Sequence, residues 1–176
     1  FPAALAIKAP ALEFSASRIA ALTAKAGEAG MTTIFDSHAP AQAEPTFAFV
    51  EAELARGAAT GLAIPARWAR SAADADRFRD SAARIRIVRG EWPDPAQDRP
   101  DAAAYLALVA RLAGRAAPVA IATHDPALAE QALSLLQAAG TPCELEQLRG
   151  LPRRRTLAVA RRLNVPVRVY LPFGPG

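Results

Sequence analysis

Short apolar runs alternate with longer alanine-rich segments along the whole chain. The apolar runs predict seven strands, at residues 3–8, 32–36, 62–65, 84–88, 119–123, 143–148 and 167–171. The segments between them predict helices at residues 15–29, 44–56, 72–83, 101–114, 126–139 and 152–163. Strands that alternate with helices of this length form crossover units, so the pattern predicts an α/β fold with a parallel sheet.

Two architectures fit this alternation, an open doubly wound sheet and a (β/α)₈ barrel. An open sheet that binds a nucleotide often carries a glycine-rich turn after its first strand, whereas this first strand runs into Lys8-Ala9-Pro10 and no GxGxxG or Walker-type loop occurs. We therefore predict a TIM-type (β/α)₈ barrel, as one domain over residues 1–176, with about seven strands and six to seven helices. Such a barrel usually needs about 250 residues, so we expect this barrel to be incomplete or minimal.

Composition excludes several classes of function. Alanine occupies 45 of the 176 positions, and the 19 arginines and two lysines leave a formal net charge of only +4. This charge is far below the dense basic stripe of a dedicated nucleic-acid binder, so we expect no nucleic-acid partner. A single cysteine and two histidines exclude an intramolecular disulfide framework and leave little for a structural metal site. We expect a cytoplasmic protein without a bound metal.

Chemistry in barrel enzymes lies at the carboxyl ends of the strands. Six of the seven predicted strands end in groups that ionise or form hydrogen bonds, among them Lys8, Asp36, the run Thr123-His124-Asp125, Glu146 and Tyr170. Any strand must leave its sheet through polar residues, so part of this set is expected to be structural. The remainder predicts a site at that end of the barrel.

Arg86 lies inside the fourth strand, between Ile85 and Ile87. Parallel strands are buried on both faces, so an arginine there needs a partner or a bound anion. A site arginine is one interpretation, and a structural ion pair is the other. The carboxylates available for such a pair are Asp36, Glu144 and Glu146.

Thr123-His124-Asp125 follows a strand and precedes Pro126, which suits the first turn of a helix. Free amides at a helix start bind phosphate groups, and His124 is placed to contact a cofactor. The alternative is a histidine whose hydrogen bonds are satisfied within the fold.

Arg153, Arg154 and Arg155 fall in the first turn of the sixth helix, where the helix dipole disfavours cations. A solvated face is the first interpretation of this run, and an anionic partner or membrane surface is the second.

Four stretches carry a resemblance to a known family. They are IRIVRGEW at 85–92, IATHD at 121–125, CELEQLRG at 143–150 and VRVYLPFG at 167–174. In this order and spacing they resemble the proline dehydrogenase family of FAD-dependent barrel enzymes. LAIKAPAL at 5–12 and TTIFDS at 32–37 are similar to the earlier strands of that family, so the resemblance covers nearly the whole chain.

The resemblance implies FAD-dependent oxidation of L-proline to Δ1-pyrroline-5-carboxylate in proline catabolism, with electrons passed to a quinone at the membrane. It also implies peripheral association with the inner face of a bacterial membrane. The cofactor-binding positions that it implies are Arg86, Val88, Arg89, Gly90, Thr123, His124 and Asp125. Lys8, Asp36 and Tyr170 would line the proline pocket, and Arg86, Lys8 and Tyr170 would be the catalytic residues.

The chain also departs from the family pattern. Pro65 stands where the family has a flavin-binding glutamine, Arg149 replaces a tyrosine, and the chain ends at Gly176 before the helix whose Arg-Arg pair clamps the substrate carboxylate. A non-catalytic, degenerate relative is therefore one alternative. An aldolase-type barrel that forms a Schiff base at Lys8 is another.

Overall fold

The computed structural model describes residues 3–172, which form seven strands and six helices. The strands are β1 (Ala4–Ile7), β2 (Thr32–Phe35), β3 (Thr60–Pro65), β4 (Arg84–Val88), β5 (Val119–Ala122), β6 (Cys143–Leu148) and β7 (Val167–Tyr170). The helices are α1 (Ala16–Glu28), α2 (Ala43–Ala55), α3 (Ser71–Phe78), α4 (Ala102–Leu112), α5 (Pro126–Ala138) and α6 (Arg154–Arg162). Short 3-10 turns at Ala9–Leu12 and Pro40–Gln42 follow β1 and β2.

The strands pair in parallel and in chain order, from β1 to β7. A doubly wound sheet would reverse this order part-way. The sheet is also curled, because the Tyr170 hydroxyl in β7 donates a hydrogen bond to Asp36 Oδ2, just past β2, over 3.0 Å. Seven parallel strands in a curled sheet with six helices are consistent with an incomplete (β/α) barrel, and the predicted fold class is confirmed.

Local chemistry explains most helix boundaries. Ser15, Asp101 and Asp125 accept backbone hydrogen bonds at the starts of α1, α4 and α5, as expected for residues at the N-cap. Gly30 and Gly57 have positive φ just after α1 and α2, a conformation that glycine adopts at little cost.

The predicted end of the third helix at residue 83 was wrong, since α3 ends at Phe78. The guanidinium of Arg115 donates to the carbonyl oxygens of Phe78, Ser81 and Ala83 over 2.9–3.2 Å. These acceptors therefore have a partner outside the helix, and the chain can turn toward β4 without leaving buried carbonyls unpaired. Burial lowers the pKa of Arg115 to about 10.

The outer face of the sheet carries the apolar core. Side chains from β3 to β6 pack there against the helices and are almost completely buried: Leu62, Ile64, Ile85, Ile87, Val119, Ile121 and Leu145. This alternation is what a strand covered on one face by helices requires.

The inner face is different, because long charged side chains on β4, β6 and β7 lie beside small residues on β3 and β5. In register across the sheet, Ala63, Arg86, Ala120 and Glu144 form one row, and Ala122, Glu146 and Arg168 form the next. Barrel interiors are usually filled by bulky branched residues. Here the volume left by alanine and glycine is occupied by arginine and glutamate.

At Gly61 the backbone of β3 lies very close to Arg84 of β4 and to Ile34 of β2. A Cβ added to Gly61 would overlap the carbonyl oxygen of Arg84 and lie 2.9 Å from both Arg84 Cβ and Ile34 Cδ1. These atoms belong to backbone or buried core and have little room to move. The inner face of β3 therefore requires glycine beside Arg84.

We expect Gly61→Ala to lower the free energy of unfolding by about 2 kcal/mol, because the added methyl overpacks the interior. Gly27→Ala is the matched control, since nothing lies within 4 Å of a Cβ at Gly27 near the end of α1. Alanine there should be neutral or stabilise by up to about 1 kcal/mol. Urea unfolding of both variants measures the difference, and equal effects would contradict the packing described for Gly61.

Candidate active site at the carboxyl end of the barrel

A cavity of about 320 Å³ opens at the carboxyl ends of the strands, where barrel enzymes hold their substrates. Eight of the ten site residues predicted from the sequence line it: Lys8, Asp36, Arg86, Val88, Gly90, Thr123, His124 and Tyr170. The fold thus brings residues that are up to 162 positions apart in the sequence to one cavity.

Two of the predicted residues lie outside the cavity lining. The Arg89 side chain is exposed. Asp125 caps α5 instead, because its Oδ1 accepts hydrogen bonds from the amides of Ala127 and Leu128 over 2.9 and 3.2 Å. The carboxylate of Asp125 is therefore engaged by the helix that it starts.

Arg86 lines the cavity and is only 5% exposed. Its Nη1 donates to Asp36 Oδ1 over 2.8 Å, and its Nε donates to Glu146 Oε2. Burial by itself would lower the pKa of Arg86, but attraction to Glu146 and Asp36 raises it above the ordinary arginine value. The structural ion pair offered as an alternative is thus present, with two of the three carboxylates considered, at a residue that also faces the cavity.

Glu144, the third carboxylate, belongs to the same buried network. It accepts hydrogen bonds from Arg84 Nη2 and from Arg168 Nε, the latter over 2.7 Å, while Arg84 Nη2 also donates to Glu146 over 2.7 Å. Burial would raise the pKa of Glu144, but the bonds from Arg84 and Arg168 hold it below the ordinary value.

Together these residues form the interior ion-pair ladder, which we define as Arg168, Glu144, Arg84, Glu146, Arg86 and Asp36. Glu146, 3% exposed, joins its two halves by accepting from both Arg84 and Arg86. Sequence reasoning missed Arg84, although its position two residues before Arg86 places both side chains on one face of β4.

Asp36 connects the ladder to Tyr170. One oxygen of its carboxylate accepts from Arg86 and the other from the Tyr170 hydroxyl, and the Arg86 guanidinium lies 5.1 Å from the centre of the Tyr170 ring. Burial and the nearby Asp36 carboxylate raise the pKa of Tyr170 to about 12. Tyr170 is therefore a neutral hydrogen-bond donor at the edge of the cavity.

His124 has protein partners at both ring nitrogens. Its Nδ1 lies 3.1 Å from the carbonyl oxygen of Pro152, and its Nε2 accepts from the Leu148 amide over 3.0 Å. These contacts select the neutral tautomer with a proton on Nδ1. The ring therefore ties the end of β5 to the end of β6 while one face borders the cavity.

Gln147 is a cavity residue that the sequence did not indicate. Its Nε2 donates to the Thr123 carbonyl, and its Oε1 accepts from the Thr156 hydroxyl over 2.7 Å. Thr123 Oγ1 accepts from the Asp125 amide over 3.2 Å, which leaves its hydroxyl proton for another acceptor. Gln147 and its partners thus fix the β5 side of the cavity.

Lys8 contrasts with Arg86. It lines the cavity, is exposed, and its side chain forms no hydrogen bond or ion pair with any residue of the described part of the chain. Its ammonium group is free to meet a ligand. Glu91, which carries the opposite charge, lines the same cavity and is exposed as well.

The loop after β4 is fixed beside the cavity. Arg67 binds both carboxylate oxygens of Asp98 over 2.6 Å, and Trp68 Nε1 donates to the Trp92 carbonyl over 2.8 Å. The Trp92 ring, 43% exposed, packs on His38 with 4.7 Å between ring centres. These contacts hold the loop in place and leave the Trp92 ring partly exposed beside the cavity.

No protein-family model matches the chain, and a search of curated proteins returns no match. Within residues 3–172, no group of three or more histidine, cysteine, aspartate or glutamate side chains is arranged to hold a metal ion. The helices of the same range are all too short or too polar to cross a membrane.

Asp36→Asn should lower the pKa of Tyr170 from about 12 toward the ordinary value of 10, because the substitution removes the carboxylate that opposes a phenolate. Ultraviolet titration between about pH 9 and 11 would then show phenolate at a lower pH in the variant than in the parent. The chain has only two tyrosines, and burial raises the pKa of the other, Tyr105, still further. Indistinguishable titrations would contradict the Asp36–Tyr170 contact.

Proposed function

We propose that this barrel oxidises L-proline to Δ1-pyrroline-5-carboxylate with FAD as the hydride acceptor and a membrane quinone as the final electron acceptor. The observation that carries the proposal is one cavity that joins a fixed cation, Arg86, to a free cation, Lys8, beside the Asp36–Tyr170 pair. The resemblance of four sequence stretches to proline dehydrogenases supplies the identity of the substrate and cofactor.

The residues at the cavity are compatible with the ring system of FAD. A volume of about 320 Å³ is at the lower end of the range for ligand pockets, so it suits a flat ring with a small substrate, and the rest of a dinucleotide would lie outside it. Val88 and Gly90 at the rim, Arg86 on the floor and the Thr123 hydroxyl are the groups that would hold the ring. FAD would supply the hydride acceptor.

The chain's own residues have separable roles in this proposal. Arg86 would stabilise the negative charge that grows on the ring system, because its guanidinium is already oriented by Asp36 and Glu146 and needs no reorganisation. Lys8 would bind the substrate carboxylate, since its ammonium has no partner in the described residues. Tyr170 would border the substrate as a neutral donor.

The reaction removes a hydride from the ring CH₂ next to the nitrogen, on the side away from the carboxylate, and a proton from that nitrogen. The amine must be neutral when the hydride leaves, so its ammonium proton must first be lost. The mouth around the exposed Lys8 and Glu91 gives that proton a route to water. The electron pair leaves with the hydride, which gives a cyclic iminium ion, and loss of the remaining N–H proton to water makes the product a cyclic imine.

A non-catalytic barrel is the second candidate, and one observation favours it. Asp36 and Glu146 surround the guanidinium of Arg86, so the cation is neutralised by the fold itself and its primary role would be structural. The Schiff-base aldolase is less well supported, because the exposed Lys8 lacks the buried surroundings that activate an amine nucleophile.

The test is anaerobic reduction of FAD bound to the purified chain. We expect the visible flavin band to bleach on addition of L-proline and to persist with D-proline. Lys8→Met should raise the proline concentration needed for half-bleaching about tenfold or more, because a charge-assisted hydrogen bond is lost. Lys25→Met is the matched control, since Lys25 is the other lysine of the chain and is exposed on α1.

Three results would contradict the proposal. A chain that binds no FAD has a different function. A chain that binds FAD but is never bleached by proline fits the non-catalytic barrel. A borohydride-trapped adduct at Lys8 with a carbonyl compound would instead identify the aldolase.

A further inference from the structure

Three of the charged side chains around the cavity are already paired within the chain. Asp36 and Glu146 both bind Arg86, and Tyr170 donates its hydroxyl proton to Asp36. Both ring nitrogens of His124 are engaged by backbone atoms. These groups shape the cavity, but their charges are largely compensated before any ligand arrives.

Glu91 and Lys8 are different, and they carry opposite charges. Both line the cavity and both are exposed. Within residues 3–172, neither side chain forms a hydrogen bond or an ion pair, so the two do not pair with each other either. The cavity therefore offers a ligand one uncompensated cation and one uncompensated anion.

The backbone holds both residues in place although their side chains are free. The carbonyl oxygen of Lys8 accepts a hydrogen bond from the Ala11 amide over 3.0 Å. The carbonyl oxygens of Gly90 and Glu91 accept from Arg67 Nη1 over 3.1 and 3.3 Å. Only the two side chains need to become ordered when a ligand binds, which keeps the entropic cost of binding small.

The separation of the two charges suits a small ligand that is charged at both ends. Lys8 directly follows β1 and Glu91 lies just past β4. These strands are three places apart in the sheet, which is about 14 Å at the ordinary spacing of strands. A ligand between the two side chains would bridge them, and a cavity of about 320 Å³ limits it to a small molecule.

We propose that Glu91 is a specificity-determining residue, which binds the ammonium group of a free, zwitterionic amino acid while Lys8 binds its carboxylate. The inference rests on the function proposed above for the role of Lys8 and for L-proline as the amino acid. Glu91 adds a requirement for positive charge on the ligand. An amino acid whose nitrogen is acylated or part of a peptide bond lacks that charge and leaves Glu91 without a partner.

Glu91 would also influence the proton that the substrate must lose. A carboxylate beside an ammonium group favours its charged form, so Glu91 raises the pKa of the bound amine. The amine must be neutral when the hydride leaves. Removing the carboxylate should therefore weaken binding and, at saturating substrate, shift the pH dependence of flavin reduction to lower pH.

Two analogues of proline with a single charge separate the two contacts. Pyrrolidine keeps the cation without the carboxylate, and cyclopentanecarboxylate keeps the carboxylate without the cation. We expect Glu91→Gln to weaken pyrrolidine binding about tenfold, because a charge-assisted hydrogen bond is lost, and not to weaken binding of cyclopentanecarboxylate. Lys8→Met should do the reverse. Ligand-observed NMR titrations of the full chain, with and without FAD, measure the affinities.

Glu28→Gln is the matched control for the loss of one carboxylate. Glu28 is exposed at the end of α1, does not line the cavity, and has no ion-pair partner among the described residues. This change should leave both affinities as they are in the parent. Circular dichroism checks that each variant folds.

The FAD-loaded chain supplies a second measurement. Glu91→Gln should raise the L-proline concentration for half-bleaching about tenfold. It should also move the pH midpoint of the reduction rate at saturating L-proline to lower pH, whereas Glu28→Gln should change neither value. A residue that only supports the fold would not move this midpoint.

The results distinguish this inference from the proposed function. Equal effects of Glu91→Gln on the two analogues, or no effect on pyrrolidine, would overturn the inference even if L-proline bleaches the flavin. No binding of pyrrolidine by the parent chain, with or without FAD, would overturn it as well. If both analogues respond as expected but L-proline leaves the flavin band intact, Glu91 remains an ammonium site and the proposed oxidation is wrong.

Discussion

Three arginines and three carboxylates share the inside of the curled sheet, where Arg84, Arg86, Glu144 and Glu146 are buried and Asp36 and Arg168 are half-buried. Burying one such charge without a partner costs several kcal/mol. The interior ion-pair ladder meets this constraint by alternating the signs from Arg168 through Glu146 to Asp36. The strands between the charged ones supply space rather than contacts, with alanine or glycine at Ala63, Ala120 and Gly61. The apolar core is correspondingly displaced to the outer face of the sheet.

The ladder also determines what the cavity can do. Its last members, Glu146, Arg86 and Asp36, line the cavity, so the cation that a ligand in the cavity would meet is the same group that holds β4 to β6 and to the end of β2. Such a group is well oriented but already neutralised. Lys8 differs because it has charge without a partner in the described chain. A ligand that brings a carboxylate therefore gains most from Lys8, whereas Arg86 contributes through its fixed position.

The sequence allowed the alternation of strands and helices to be predicted, because apolar runs are separated by helices with recognisable caps and glycines, as at Ser15 and Gly30. It also narrowed the partners of Arg86 to three carboxylates, two of which bind it. Contacts between residues far apart in the chain could not be predicted from the sequence. The end of α3 depends on Arg115, more than thirty residues away in the sequence, and the partners of His124 are backbone atoms of Leu148 and Pro152. Any residue can supply a backbone hydrogen-bond partner, so the pattern of side chains did not indicate the roles of Arg115 and His124.

The coupling between Arg86 and Glu146 tests the central claim, that the charged interior is one cooperative network. Urea unfolding of Arg86→Met, Glu146→Leu and the double variant gives the interaction energy directly. We predict that each single change costs about 3 kcal/mol or more, because it takes from a buried charge one of its ion-pair partners. The double variant should cost less than the sum of the two by about 2 kcal/mol. Additive effects, within about 0.5 kcal/mol, would contradict the account.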